Sequence, residues 1–281
     1  MKKYLSLIKF SHTIFAMPFA LIGFFLATKN NEIEWITLVY VVLCMIFARS
    51  CAMAFNRYID KDIDKANTRT AKIREIPTGK ISAENALLFV VINAILFVVT
   101  TYFINFLCFK LSPIVLIIIL GYSYTKRFTA LCHIILGLGL SLAPIGAYLA
   151  VTSTFDIIPI LFSCVVLFWV SGFDIIYSLQ DQNFDKAQNL YSIPVLFGKK
   201  HALKLTKLLH LAAITLLSII GYYAEFGTLY WIGFSIFTGL LVYQNALVKH
   251  NDLSKINLAF FTTNGIASVI FAAFVLIDIL N

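Results

Sequence analysis

Charge is the first thing this sequence lacks. Asp, Glu, Lys and Arg make up 13% of its 281 residues, about half their share in soluble globular domains. With 60% of the residues hydrophobic and a mean hydropathy of +0.88, a water-soluble globule is excluded. So is a disordered chain, whose solvation needs the opposite composition. The 6 prolines and 13 glycines are too few and too scattered for a fibrous or low-complexity protein. Cysteine is sparse as well. Cys44, Cys51, Cys108, Cys132 and Cys164 are odd in number, lie in or beside apolar runs and show no C-x-x-C spacing. That excludes a disulfide framework and a zinc site and leaves them as small packing residues. What remains is a polytopic membrane protein.

Long apolar runs are present in abundance. They predict nine membrane helices at Phe10–Ala27, Trp35–Phe55, Ala86–Cys108, Pro113–Tyr124, Leu131–Val151, Ile157–Tyr177, Leu208–Tyr223, Leu229–Val248 and Leu258–Leu280. The expected fold is therefore all-α, nine transmembrane helices bundled around a central cavity. Each crossing consumes about 20 residues, so residues 1–281 are read as one membrane domain. The first run follows Lys2, Lys3 and Lys9 like a secretory leader, but His12 and Pro18 interrupt it and eight spans follow, so it is read as a retained helix.

Orientation follows from the basic residues, because Lys- and Arg-rich loops stay cytoplasmic. With the N-terminus inside, 19 of the 22 basic residues fall on the cytoplasmic side. Lys29 and Lys110 fall outside, and Arg49 lies within the second helix. The net charge of +8 is thus a topology signal, and no nucleic-acid partner is indicated, because nucleic-acid binders carry their basic face on a soluble module.

Acid is scarcer still, and its distribution is uneven. Six of the nine aspartates lie in two short segments, Asp60, Asp62 and Asp64 after the second helix, and Asp174, Asp181 and Asp185 at the end of the sixth. At about 100° per residue, Asn56, Asp60 and Asp64 share one helical face, with Arg49 two turns deeper on the same stripe. Asp62 points away. Asp174, Tyr177, Asp181 and Asp185 form a second stripe, so the chain carries a weak pseudo-repeat four helices apart.

Carboxylates gathered in this way repel one another unless a cation lies between them. Hard oxygen ligands suit Mg2+, which is shared between a few carboxylates and a substrate phosphate, and a diphosphate is the natural bridge. Arg57, Arg69, Arg74, Lys126 and Arg127 add positive charge nearby. The plainer reading, solvated helix ends in weak surface pairs, fits one such segment better than two of matched phase. Arg49 inside a helix is costly unless paired, so it is read as functional. His12, His133, His201, His210 and His250 show no ligand spacing and are assigned no role. A secondary transporter is the rival class, but such proteins place their coupling carboxylates near the bilayer midplane on broken helices.

At these residues the sequence resembles the UbiA-type family of intramembrane aromatic prenyltransferases. The first family motif is matched at Asn56, Asp60 and Asp64, and the second at Asp174, Tyr177, Asp181 and Asp185. Further similarities are Arg69 and Thr70 leading to Pro77 and Gly79, the run ending at Lys126 and Arg127, and Ser192 to Gly198. Arg57 departs from the family pattern, which has Asp there. The second motif and the Ser192–Gly198 run most resemble the branch acting on 4-hydroxybenzoate; a related branch acts on a naphthoate for menaquinone.

The resemblance implies Mg2+-dependent transfer of a polyprenyl group from its diphosphate to an aromatic carboxylic acid, in respiratory quinone synthesis at the bacterial inner membrane. Asn56, Asp60 and Asp64 would hold one Mg2+, and Asp181 with Asp185 another. Lys126, with Arg69 or Arg74, would neutralise the departing pyrophosphate, and Arg127 would add to the binding of the same substrate. Tyr177 would stabilise the allylic cation through its ring, and Asp174 would orient the acceptor or take its ring proton. Arg49 would hold the acceptor's carboxylate. Two loops, Lys65–Lys80 and Lys186–Lys207, are expected to act as lids that exclude water.

Overall fold

Hydrocarbon offers no water to backbone N–H and C=O groups, so an apolar segment must satisfy both internally, and this chain does so with helices. A computed structural model describes residues 2–8, 15–29 and 31–281. In chain order the α-helices are α1 (Lys2–Leu7), α2 (Met17–Ala27), α3 (Trp35–Ile59), α4 (Lys61–Ala66), α5 (Thr68–Ala71), α6 (Ala83–Ile104) and α7 (Phe106–Thr125). They continue with α8 (Cys132–Thr152), α9 (Ile157–Ser178), α10 (Gln182–Ala187), α11 (Ile193–Tyr223), α12 (Thr228–Leu247) and α13 (Asn264–Leu280). A 3-10 turn, Leu179–Asp181, joins α9 to α10, and a π-helix, Leu258–Thr263, leads into α13. No strand occurs among the described residues.

Seven of these helices are long and apolar enough to cross a membrane: α3, α6, α7, α8, α9 with its continuation to Ala187, α11, and Leu258–Leu280. The other two expected spans correspond to α2 and α12. Of the first, only the 11 residues of α2 form a described helix, and Lys9, Phe10 and His12 lie outside the described residues. The 20 residues of α12 are diluted in hydropathy by Gln244 and Asn245 near its end.

Two boundaries differ from expectation. The third run was expected to reach Cys108, but the chain breaks at Asn105 (φ −165°, ψ 166°), whose side-chain oxygen accepts from the Cys108 N–H at 2.8 Å. An amide that can cap starts α7 early, and Pro113 falls inside that helix. The expected loop Lys186–Lys207 is mostly helix, because α11 begins at Ile193 behind the capping hydroxyl of Ser192. Its one break is Gly198 (φ 76°, ψ 161°), a backbone region that only glycine enters cheaply.

The helices sort into two compact units, one with α1 and α3 to α7, the other with α2 and α8 to α13. In the first, small residues Cys51, Ala54 and Ala86 are buried where α3 packs on α6, the pattern that lets backbones approach inside a bilayer. Leu7 and Ile8 close that core from α1, and Tyr4 stacks on Phe89 at 4.9 Å. The second core is aromatic. Phe19, Phe162, Trp169, Tyr230, Phe237 and Phe271 are fully buried, and the Trp169 indole N–H donates to Asn264 Oδ1 at 2.9 Å. Large apolar side chains such as Ile117 (71% exposed) and Tyr222 (77%) face outward, as lipid-facing residues do.

A close approach in the second unit is that of α2 on α8 at Gly23. A Cβ added at Gly23 would run into the Pro144 backbone carbonyl, whereas one at Gly146 meets nothing within 4 Å. Gly23→Ala is therefore expected to destabilise the protein by about 1–3 kcal/mol. Gly146→Ala should leave it unchanged or more stable, both measured by thermal unfolding in detergent.

Candidate active site

Each acidic segment begins where a long helix breaks. α3 ends at Ile59, and Asp60 takes φ −91°, ψ 8° before the short α4. α9 ends at Ser178, and Asp181 takes φ −98°, ψ 0° before the short α10. Both aspartates sit in the sparsely populated bridge region, where active-site residues recur, and each is followed four residues later by a second aspartate, Asp64 or Asp185. The expected single stripe from Asp174 to Asp185 is thus interrupted by a 3-10 turn, which advances about 120° per residue instead of 100°. The two segments share a backbone device as well as a spacing.

In the first unit the carboxylates are buried: Asp60 is 3% exposed and Asp64 8%. Asp62 points to solvent, as its helical phase requires. Asn56 Nδ2 donates to Asp60 Oδ2 at 3.1 Å, and Arg57 Nη1 donates to Asn56 Oδ1 at 2.8 Å. The side chain that departs from the family motif is therefore buried and tied to it. For Asn56 to turn its oxygen to a cation, the Arg57 bond must open. Arg74 Nε lies 3.9 Å from Asp64 Oδ2.

The segment carrying Arg69 and Arg74 is not an irregular loop. The Thr70 hydroxyl donates to Asp64 O at 2.8 Å, the Arg69 N–H donates to Asn67 Oδ1 at 2.9 Å to cap α5, and buried Glu75 accepts from the Ser6 hydroxyl. Arg49 lies in α3. Its Nε, the Arg57 Nε and an Nη of Arg74 are buried without a hydrogen-bond partner among the described residues.

In the second unit Asp174 is half-buried, and its Oδ2 lies 2.7 Å from His133 Nδ1. His133, assigned no role from spacing, is 3% exposed. Tyr177 lies one turn along, its ring 4.2 Å from that of Phe260 and 6.0 Å from that of Phe261. Two runs far apart in sequence are joined here, since the Tyr191 N–H donates to Lys126 O at 2.7 Å and Cys132 Sγ lies 3.6 Å from Tyr191 O. Gln182 in α10 donates to the Pro194 carbonyl. Lys126 and Arg127 are half-buried in the turn after α7.

Sequence reasoning missed His133, Phe260 and Phe261. No spacing rule links positions 133 and 174 on separate helices. The adjacent phenylalanines both reach Tyr177 from a π-helix that no apolar periodicity announces. Gln244 Nε2 donates to the Ala259 carbonyl at 2.8 Å and Asn264 Nδ2 to the Phe260 carbonyl at 2.9 Å, occupying acceptors in the widened turn.

The residues present fit a divalent cation on a phosphate. Among the described residues no three His, Cys, Asp or Glu side chains gather to hold an ion by themselves. Mg2+ does not require that many, since it takes one or two carboxylates and completes its shell with water and phosphate oxygens. The orphaned guanidinium N–H groups are donors lacking an acceptor, and a buried donor left so costs about 1–3 kcal/mol.

Comparison with known proteins shows the family. A model of the UbiA prenyltransferase family matches residues 16–266. A 4-hydroxybenzoate octaprenyltransferase of Tolumonas auensis is 31% identical over 228 residues, which is 81% of this chain and 79% of that protein. An apo UbiA homologue from Aeropyrum pernix superposes with a TM-score of 0.85 at 28% identity, over 95% of this chain and 98% of its own. A UbiA homologue from Archaeoglobus fulgidus bound to GPP and Mg2+ shares the fold, with a TM-score of 0.76 at 24% identity, over 99% of this chain and all of its own.

The single guanidinium nitrogens without a partner among the described residues yield a prediction. Inorganic pyrophosphate with Mg2+ should raise the thermal midpoint of the purified protein. Arg74→Gln should weaken that ligand about ten- to a hundredfold by titration calorimetry, the loss of one charged hydrogen bond of about 1.5–3 kcal/mol.

Proposed function

We propose the reaction of this protein from one premise, that the chain belongs to the UbiA prenyltransferase family. It is a prenyltransferase and an integral membrane protein. Its donor is a polyprenyl diphosphate and its acceptor a 4-hydroxybenzoate-like aromatic acid, in ubiquinone synthesis. The relative from Tolumonas auensis supports that acceptor by its name. The observation that carries the reading is the matched pair of helix breaks, each setting an Asp at the junction and another one turn later.

Asp60 and Asp64, with Asn56 beside them, and Asp181 with Asp185 are the proposed holders of Mg2+ on the donor's diphosphate. Bound there, Mg2+ supplies charge neutralisation on the leaving group, which favours ionisation of the allylic C–O bond. Arg74, Arg69, Lys126 and Arg127 take the remaining phosphate oxygens, for which guanidinium groups are well shaped. Tyr177, backed by Phe260 and Phe261, gives the allylic cation an aromatic face and keeps water from quenching it. Arg49 holds the acceptor's carboxylate, and Asp174 orients the acceptor or receives its ring proton. The lopsided distribution of Lys and Arg supports the reading that the acidic ends face the cytoplasm at a bacterial inner membrane.

Purified protein given a polyprenyl diphosphate, Mg2+ and a panel of hydroxybenzoates and naphthoates should release pyrophosphate and yield a prenylated 4-hydroxybenzoate, identified by mass. Chelation, Asp60→Asn and Asp181→Asn should each abolish transfer; near-normal rates would refute the metal assignment, and transport of substrate without pyrophosphate release would favour the transporter. Arg49→Ala should weaken a carboxylated acceptor at least tenfold more than one without the acid group. Equal losses would remove Arg49 from the acceptor site.

A further inference from the structure

We infer that His133 is the positioning residue of Asp174, fixing which carboxylate oxygen faces the acceptor. This deepens, and rests on, the aromatic prenyl transfer proposed above. His133 is buried in the first turn of α8, with Nδ1 2.7 Å from Asp174 Oδ2. Its other ring nitrogen, Nε2, lies 3.4 Å from the backbone N–H of Ile193. A backbone N–H can only donate, so Nε2 presents its lone pair there and the ring proton sits on Nδ1. The imidazole is therefore neutral and aims one N–H at Asp174.

Two consequences follow for the carboxylate. Oδ2 is occupied, while Oδ1 accepts no hydrogen bond from the described residues, and the Asp174 side chain is 21% exposed. One oxygen is anchored and the other is presented. The histidine is also closed as a relay, because an amide that holds its proton caps the nitrogen through which a proton would leave. Asp174 is the base, and His133 sets its angle, as outer partners set the groups that react in other sites.

Ile193 is the first residue of α11, after Ser192, and an amide in that turn has no partner inside its own helix. The Ser192–Gly198 run, of unexplained use in the sequence, thus fixes the imidazole from behind.

In the reaction, the donor's C1–O bond breaks with its electron pair leaving on the diphosphate. A π pair of the acceptor ring forms the new C–C bond. The C–H bond at that ring carbon then breaks, its pair restores aromaticity, and the proton passes to Asp174 Oδ1.

Three substitutions separate positioning from packing. Asn places an N–H donor near the position of Nδ1; Gln reaches the position of Nε2 and can accept from Ile193; Leu does neither. His133→Asn is expected to keep kcat within about threefold of wild type. His133→Gln and His133→Leu should lose kcat at least thirtyfold, with the donor KM unchanged. A structural role predicts the reverse order, so activity in His133→Gln, or a loss in His133→Asn as deep as in His133→Leu, overturns the inference.

Histidine-labelled wild-type protein gives a reading free of folding defects and of activity. Its 15N resonances, assigned to His133 by their loss in His133→Asn, should show Nδ1 protonated and Nε2 bare. Two protonated nitrogens would overturn the inference without touching the prenyl-transfer reading. A wild-type protein that prenylates no aromatic acid overturns that reading, and this role of His133 with it.

Discussion

An unsatisfied polar group costs several kcal/mol in hydrocarbon, and that penalty governs where every hydrophilic atom of this protein can sit. Many hydroxyls within the helices bond back to their own backbone, as Thr100 does to Leu96 O and Ser141 to Leu138 O. Larger groups bridge helices. Trp169 reaches Asn264, Tyr230 reaches Leu217 O, and Asn245 donates to His210 Nδ1 at 2.7 Å. Among the described residues, one guanidinium nitrogen each of Arg49, Arg57 and Arg74 stays buried without an acceptor, as do a few other polar atoms such as the Ser163 and Thr238 hydroxyls.

The same penalty explains why the acids stand where helices break. A long helix has no spare backbone geometry, so a carboxylate on it can only radiate outward. Ending α3 at Ile59 and α9 at Ser178 gives Asp60 and Asp181 bridge-region dihedrals and starts a short helix that carries the second Asp. Burial of Asp60 and Asp64 is tolerable because Asn56 and Arg74 stand against them. A cation would strengthen that balance, since like carboxylates one turn apart otherwise oppose each other's ionisation.

The aromatic side of the site has its own structural origin. Adjacent residues on an α-helix diverge by about 100°, yet Phe260 and Phe261 both contact Tyr177. Both lie in the π-helix from Leu258 to Thr263, where the amides of Gln244 and Asn264 occupy the carbonyls of Ala259 and Phe260. π-Helical turns recur at functional sites. A polar residue buried on α12 thus bonds to the segment that carries this aromatic surface.

Composition alone determined that this chain lives in a membrane as helices, because an apolar chain with so few charges has no other stable form. Helical phase alone put Asn56 beside Asp60 and turned Asp62 to solvent, since those relations are local to one turn. Local rules could not give the early start of α7, where the Asn105 side chain caps the helix, or the π-helix, whose Ala259 carbonyl accepts from an amide on α12. Nor could they join His133 to Asp174, or Lys126 to Tyr191, because those pairs meet only through the packing of separate helices. Sequence fixes what is decided within a few residues of chain; the tertiary structure decided which distant polar groups satisfy one another, because in hydrocarbon each must find a partner and only the folded backbone brings one within reach.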